Sequence, residues 1–587
     1  MPTTPDALDD FTRRDFFVTL AASGAGMSAS ALASSSAFAA PATTEASTQP
    51  VTAITESSIA EAEKLAGITF SAKERAQIAK TVAEQLAGFK ARAAFGALDN
   101  QLAPATVFRV LLPGEQPRVR SSAVMAKFSR RGKPAPESDD DLDWATVEQL
   151  AAWMKDGKVT ARRLVARSIT RLKRSNEQLK NVITLIEGPA YIEADQRDLE
   201  LRKGNARGPL HGIPYGLKDL FDTSGIKTTW GAEPWRDRVP TSDALVVTRL
   251  RDAGAICVAK TAVGALAYGD QWFGGVCKNP WNPTQGSSGS SAGSASTVAS
   301  GCVPFAIGTE TLGSIVSPCV RCGTTGLRPT FGHVARDGAM ALCWSWDKIG
   351  PITRSVIDTG LVLAAMHGAS EHDASSVTVP FVAPRLPNAK GVKLAYDPAW
   401  FEGPMGAAEK ETLEAARSAG AKLIERPCTP PIDPAVLITS LMAEAAASFE
   451  EMTRSNADDQ LAWQADEAWP NSFRRSWFLP AIELVQAERQ RRLCMQWMRT
   501  ALAGVDGLIL PPFAGGMLTL TNATGHPTLC LRSGFDASGA PRSITIIGHP
   551  FDEATMLGVG AAIEAQLAIS GGVSDKRPDM PWMNAAK

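Results

Sequence analysis

Residues 286–318 read GSSGSSAGSASTVASGCVPFAIGTETLGSIVSP, a tract of small side chains whose only charge is Glu310. Glycine, serine and alanine let backbone segments approach each other and a ligand closely, because little side chain stands in the way. A flexible linker can share this composition. A linker would not run straight into the apolar segment Val303–Ile307, so the tract belongs inside a fold. Upstream, Lys218 stands alone in the apolar run GIPYGLKDLF, residues 212–221. A lone lysine among apolar neighbours usually snorkels to the surface. If buried instead, it is driven towards its neutral, basic form. A neutral amine beside serine hydroxyls is one way to make a hydroxyl nucleophilic without His or Asp.

Around this tract the chain alternates helical and strand-like segments. Helices are expected over 146–155, closed by Gly157, and over 160–179, 294–300 and 356–366. Strands are expected over 182–187, 255–259, 303–307 and 507–510. Strands separated by helices of this length indicate an α/β layered domain with its sheet covered on both faces. Residues 403–500 read as a more helical excursion beside the sheet. Residues 57–95 also read as helical: Ser71 to Glu74 makes a capping box, Ile78, Val82, Leu86 and Phe89 line one face, and Gly67 stops the preceding helix. A charged, proline-containing stretch, 113–141, reads as a surface excursion.

The 587 residues carry 60 Lys+Arg against 61 Asp+Glu, a balance that argues against nucleic acid or an anionic membrane as partner. Nine cysteines are too few for a disulfide scaffold of this length, and the odd number leaves at least one thiol free. Cys319 and Cys322 form a CxxC, but no second pair follows and the six histidines lack ligand spacing, so small core residues are the expected role and no metal is expected. At the N-terminus, Thr12-Arg13-Arg14-Asp15-Phe16-Phe17 is a twin-arginine pattern followed by a mildly apolar stretch and Ala37-Phe38-Ala39. It reads as an export signal over 1–39 cleaved before Ala40, predicting a periplasmic or secreted protein without stable membrane association.

Three motifs in order, Lys218 after Gly212-Ile213-Pro214, the Ser290-Ser291 pair in GSSGSSAGSA, and Ser314 in GTETLGSI, together resemble the amidase signature family. The similarity starts near Trp144 and returns in LTLTNATGHPTLCLRSGF (518–535) and ITIIGHPFDEATML (544–557). The resemblance implies an α/β/α fold with a mixed central sheet over 144–587, preceded by a linker and helical extension over 40–143. It implies a Ser-cisSer-Lys triad: Ser314 as nucleophile, Ser290 after a cis peptide as proton relay, Lys218 as general base. The backbone amides of Thr311, Leu312, Gly313 and Ser314 would form the oxyanion hole. The implied activity is hydrolysis of a carboxylic amide through an acyl-serine, releasing ammonia or an amine, with no cofactor. The substrate would be a small-molecule or peptide amide, and a homodimer is left open.

Several positions depart from the family pattern. Ser288 and Ala292 stand where glycines are usual, Glu310 replaces an Asp, Leu312 a Gly and Val316 an Arg. Leu312 calls the backbone of the nucleophile turn into question. Alternatives follow: an esterase, urethanase or peptide-amide hydrolase with the same triad, or an exported binding protein that has lost turnover. Gly289 to Gly293 also satisfies GxSxG, yet the residues before it, Asn282 to Ser288, do not read as the apolar strand that a nucleophile elbow needs. Family relatives include the amidotransferase subunit that supplies ammonia for misacylated tRNA, a cytoplasmic role that an export signal argues against. His526, Gln486 and Arg489 fall in segments that approach the site in the family, with a structural role as the competing reading. Trp272 and Phe273 fit a substrate channel and core packing equally.

Overall fold

Runs of six residues with every side chain buried, Phe305–Glu310 and Lys348–Thr353, set the architecture. Successive side chains of a strand point to opposite faces, so unbroken burial means that both sides of the sheet are covered. The computed structural model describes residues 54–94, 96–118, 136–384, 387–569 and 577–580. The twin-arginine leader, most of the 40–55 linker and residues 119–135 of the charged stretch lie outside the described residues.

Eleven of the described strands build one sheet, and two short pairs, Gln271–Trp272 with Gly275–Val276 and Lys278–Asn279 with Asn282–Gly286, stand apart from it. The spatial order of the large sheet is Val182–Leu185, Ile256–Thr261, Pro214–Lys218, Phe305–Glu310, Lys348–Thr353, Thr325–Arg328, Thr528–Phe535, Pro541–Gly548, Gly507–Leu510, Lys393–Tyr396 and Lys422–Glu425. The three strands that carry Thr261, Lys218 and Glu310 run parallel, whereas Lys348–Thr353 pairs antiparallel with Phe305–Glu310. The sheet is therefore mixed, and the fold is α/β. Helix Ala161–Leu179 buries Leu164, Val165, Ile169 and Leu172 on one face, a stripe of the kind that docks a helix on a sheet. Each such side chain contributes roughly 1.5–3 kcal/mol by leaving water. Thr146, Thr160 and Ser355 cap helices Val147–Lys155, Ala161–Leu179 and Val356–Met366 by accepting a backbone N–H three residues on.

Three expected strands have different ends, the one over 255–259 running instead as Ile256–Thr261. The strand expected over 182–187 stops at Leu185 because a helix, Glu187–Arg202, starts two residues later. Pro189 lies in that helix's first turn, where its missing N–H costs nothing. The strand expected over 303–307 starts after Pro304 and continues to Glu310, because Gly308, Thr309 and Glu310 find partners in Gly350, Ile349 and Lys348. The 403–500 stretch is not wholly helical either, since Lys422–Glu425 is an edge strand of the sheet.

The chain divides into two compact units of discontinuous segments. One holds the described residues up to Thr106 with 436–459 and 464–490. Its helices Glu56–Ala66 and Ala72–Ala94 are joined at Gly67, which takes φ 64°. The Ser71 amide donates to Glu74 at 2.7 Å and the Glu74 amide to the Ser71 hydroxyl at 3.3 Å. Ile78, Val82 and Leu86 are half-buried, while Phe89 remains 43% exposed. Within this unit Phe473 stacks on both Trp469 and Phe449, at 4.9 and 5.6 Å between ring centres. The other unit, residues 107–435, 460–463 and 491 onward, holds the sheet and every candidate catalytic residue.

Candidate active site

Lys218 ends the strand Pro214–Lys218 with its side chain wholly buried. Its Nζ lies 2.8 Å from the Ser290 hydroxyl, 2.7 Å from the Thr309 hydroxyl and 3.3 Å from the Thr309 carbonyl. Burial pushes the ammonium well below its ordinary pKa, and the negative charges of Asp347 and Glu310 offset only part of that push. A neutral amine carries two N–H bonds and one lone pair, so with hydroxyls among its neighbours it can accept a proton as well as donate.

Ser290 follows a cis peptide bond, Gly289-Ser290. Position 289 has no room for a side chain: a Cβ there would sit 1.8 Å from the Gly269 carbonyl oxygen. Ser288 takes φ 60°, the left-handed region, held by its amide's bond to the Asp270 carboxylate (3.0 Å) and by its hydroxyl against that of Ser317 (2.7 Å). The Ser291 hydroxyl donates to the Thr309 carbonyl (3.1 Å) and accepts from the Thr309 amide (3.2 Å). The Ser291 amide donates to the Ser314 carbonyl at 3.1 Å. Together these bonds stitch the Ser290 loop to the strand end and to the Ser314 turn.

Ser314 is 8% exposed, and among the described residues its hydroxyl makes no hydrogen bond. Lys218 and Ser290 are thus in contact, while Ser314 is held beside Ser290 through the backbone of its neighbour. Between Glu310 and Val316 the chain turns without secondary structure until helix Val316–Cys322. Gly313 takes φ 77°; Leu312 is not among the residues with positive φ, so the turn does not require glycine there. The amides of Leu312, Gly313 and Ser314 engage no acceptor among the described residues.

The Glu310 carboxylate shapes this turn by accepting from the amides of Ile315 (2.7 Å) and Val316 (2.9 Å). Its other oxygen accepts from the Arg328 guanidinium (2.8 Å) and the Asn522 amide (2.7 Å). Burial alone would raise the Glu310 pKa; the Arg328 charge and these hydrogen bonds outweigh it and hold the group below its ordinary value. Arg328, also wholly buried, donates further to Thr521 (2.8 Å), the His526 carbonyl (2.9 Å) and Thr528 (2.6 Å).

The remaining candidates have partners of their own. The His526 ring is buried against the Thr524 hydroxyl at 2.9 Å, and burial pushes it down to about 3, so it is a neutral core imidazole. Gln486 and Arg489 are exposed and bond each other at 2.9 Å. The Trp272 indole donates to the Lys180 carbonyl at 3.1 Å and packs with Ala262, Cys277 and Ala292 in the core. Cys319 and Cys322 are buried free thiols, Cys319 pushed up to about 12 by burial. Among the described residues no group of His, Cys, Asp or Glu is placed to hold a metal ion. Sequence reasoning misses Thr309, Asp347, Arg328 and Asn522, although Thr309 stands in the same motif, GTETLGSI, as Ser314.

The family model described as Amidase matches residues 163–557. Among curated relatives, the glutamyl-tRNA(Gln) amidotransferase A-subunit of an Exiguobacterium species is 31% identical over 467 residues, spanning 71% of this chain and 96% of the relative. The peptide amidase of Stenotrophomonas maltophilia superposes with a TM-score of 0.66 at 26% identity, covering 76% of this chain and all of that one. The corresponding amidotransferase protein from Thermotoga maritima, at 24% identity and a TM-score of 0.59 over 73% of this chain and 95% of that one, shares the fold. A match spanning the Lys218 strand, both serine loops and the strands that return through residue 548 makes this chain a member of the amidase family, whose enzymes act on the C–N bond of carboxylic amides.

Proposed function

We propose that this chain is a hydrolase of linear carboxylic amides that works through an ester of Ser314. The carrying observation is the wholly buried Lys218 amine 2.8 Å from the Ser290 hydroxyl, beside a turn with three unengaged amides. In this reading the Ser314 hydroxyl attacks the amide carbonyl. Its proton passes to Ser290 as the Ser290 proton passes to Lys218. The developing oxyanion is met by the amides of residues 311–314. The lysine proton then returns through Ser290 to the amine nitrogen as the C–N bond breaks. Water repeats the sequence on the ester, releasing the acid and freeing Ser314. In this reading the hydrogen bond from Ser314 to Ser290 forms once substrate is bound, as catalytic hydrogen bonds commonly do. Proton transfer and oxyanion stabilisation each supply about a hundredfold or more.

Likeness to a peptide amidase at 26% identity supports C-terminal amides of peptides as one substrate class to screen, beside small primary amides and anilides. A second reading, an ammonia-donating component of a larger amidotransferase, draws on the 31% identity to the Exiguobacterium relative. The Arg13-Arg14 pattern supports export instead, and an exported enzyme would work without that assembly. Replacing both arginines by lysine should retain the protein in the cytoplasm; unchanged fractionation would refute export. For the chemistry, purified protein is assayed with primary, anilide and peptide amides alongside esters. The reading requires amide turnover by the protein alone, abolished in Ser314→Ala and in Lys218→Ala while both stay folded. Substantial neutral-pH activity in Lys218→Ala would remove the lysine from its role.

A further inference from the structure

Asp347 lies immediately before the strand Lys348–Thr353, which pairs antiparallel with the strand ending at Glu310. One of its carboxylate oxygens accepts from the Thr311 hydroxyl. The other accepts from the amides of Leu342 (2.8 Å) and Cys343 (2.9 Å). Thr311 opens the turn that ends at Ser314, so one carboxylate joins that turn to the loop 341–346. The loop is itself fixed from outside. Arg336 donates to the Trp344 carbonyl at 2.6 Å and is anchored by Asp373, while Arg491 donates to the Ser345 carbonyl at 2.6 Å and to the Ala523 carbonyl. Thr309 is the last but one residue of the strand Phe305–Glu310, and Thr311 is the first residue beyond it. Thr309 meets the Lys218 amine, and Thr311 meets Asp347.

Resting on the acyl-serine reading above, we propose that Asp347 is a positioning residue: held by the amides of Leu342 and Cys343, it fixes through Thr311 the amides that receive the oxyanion. The Asp347 charge, with that of Glu310, also favours the protonated form of Lys218 against its burial, and Glu310 is itself met by Arg328 at 2.8 Å. The other charged groups of the adjoining strands are Lys348, which donates to the Asn522 carbonyl at 3.2 Å, and the Asp219–Lys260 pair, 3.3 Å apart. A carboxylate in this place opposes the desolvation of the lysine, keeping its protonated form within reach for the return of the proton to the leaving amine.

Tether and charge separate by substitution. Asp347→Asn removes the charge and turns an amide N–H towards either Thr311 or the two loop amides. The expected result is a kcat lower by about a hundredfold, as for an ångström of misplacement at a reacting centre, with an acid limb of kcat/KM displaced to lower pH. Thr311→Val keeps the charge and cuts the tether, so kcat falls while the acid limb stays, and Thr311→Ser restores kcat. Wild-type kcat in Asp347→Asn, or a Thr311→Ser variant no faster than Thr311→Val, would overturn the proposal. Titration of Lys218 itself, followed by the 13Cε resonance of lysine-labelled protein and assigned with Lys218→Met, reads the electrostatic effect without turnover. It therefore stands even if Ser314 proves not to be acylated. Should Asp347→Asn fail to fold, Thr311→Val decides: wild-type kcat there overturns the tether.

Discussion

Replacing Arg328 by methionine isolates the strut beneath the nucleophile turn. The Arg328 and Glu310 side chains are both 0% exposed and 2.8 Å apart, and the same guanidinium bonds Thr521, the His526 carbonyl and Thr528. Methionine fills similar space but leaves Glu310 buried with Asn522 and the two turn amides as its remaining partners. Removing one member of a buried pair costs about 3–5 kcal/mol, because the other charge is left uncompensated. That loss should carry a pH signature. In the wild type the Glu310 pKa is depressed, so its contribution is present above the unfolded carboxyl value and lost as pH falls. In Arg328→Met, burial without the guanidinium raises the Glu310 pKa, and stability is lost as pH rises through it. The deficit of the variant should therefore be largest near neutrality and shrink towards pH 4 in urea unfolding followed by tryptophan fluorescence. The double variant Arg328→Met with Glu310→Gln should recover part of the deficit. A deficit under about 1 kcal/mol, or one independent of pH, would refute the strut.

Four further outcomes follow. Gly289→Ala must move the Gly269 carbonyl and should abolish activity, whereas Gly88→Ala in helix Ala72–Ala94, where a Cβ meets nothing within 4 Å, should stabilise by about 0.5–1 kcal/mol; thermal unfolding and an amide assay check both. Leu312→Gly should keep kcat within an order of magnitude, since the turn does not hold Leu312 at positive φ, and should cost about 0.4–1 kcal/mol in unfolded-state entropy; a complete loss of turnover would contradict it. The buried His526 imidazole, pushed down to about 3, makes stability fall as pH drops from 6.5 towards 3, by about 1.4 kcal/mol per unit. His526→Gln should flatten that slope in acid unfolding, and an unchanged slope would contradict the assignment.

Much of this arrangement is readable in the chain because its signals are local. Ser71 with Glu74, Thr146, Thr160 and Ser355 announce helix starts by their own side chains, and Gly67 an ending. The small-residue tract marks a place where backbones touch, and Gly289 against Gly269 is such a contact. What stayed hidden depends on distant partners. The strand reaches Glu310 because Lys348–Gly350 pairs with it, which no periodicity at 303–307 reveals. Glu310 as a strut needs Arg328 and Asn522, and Thr311 as a tether needs Asp347, all brought together by sheet order. The helices up to Thr106 share a compact unit with 436–459 and 464–490, a grouping that a boundary drawn along the sequence cannot express.

The rate of modification of the protein by a fluorophosphonate, measured against pH with the adduct located by peptide mass, tests the central claim most directly. The account predicts a single adduct on Ser314, a rate that reaches its plateau well below pH 10.5, and slow labelling in Lys218→Ala. An adduct on Ser290, or a rate still climbing towards pH 10.5 as an ordinary exposed lysine would give, would contradict it.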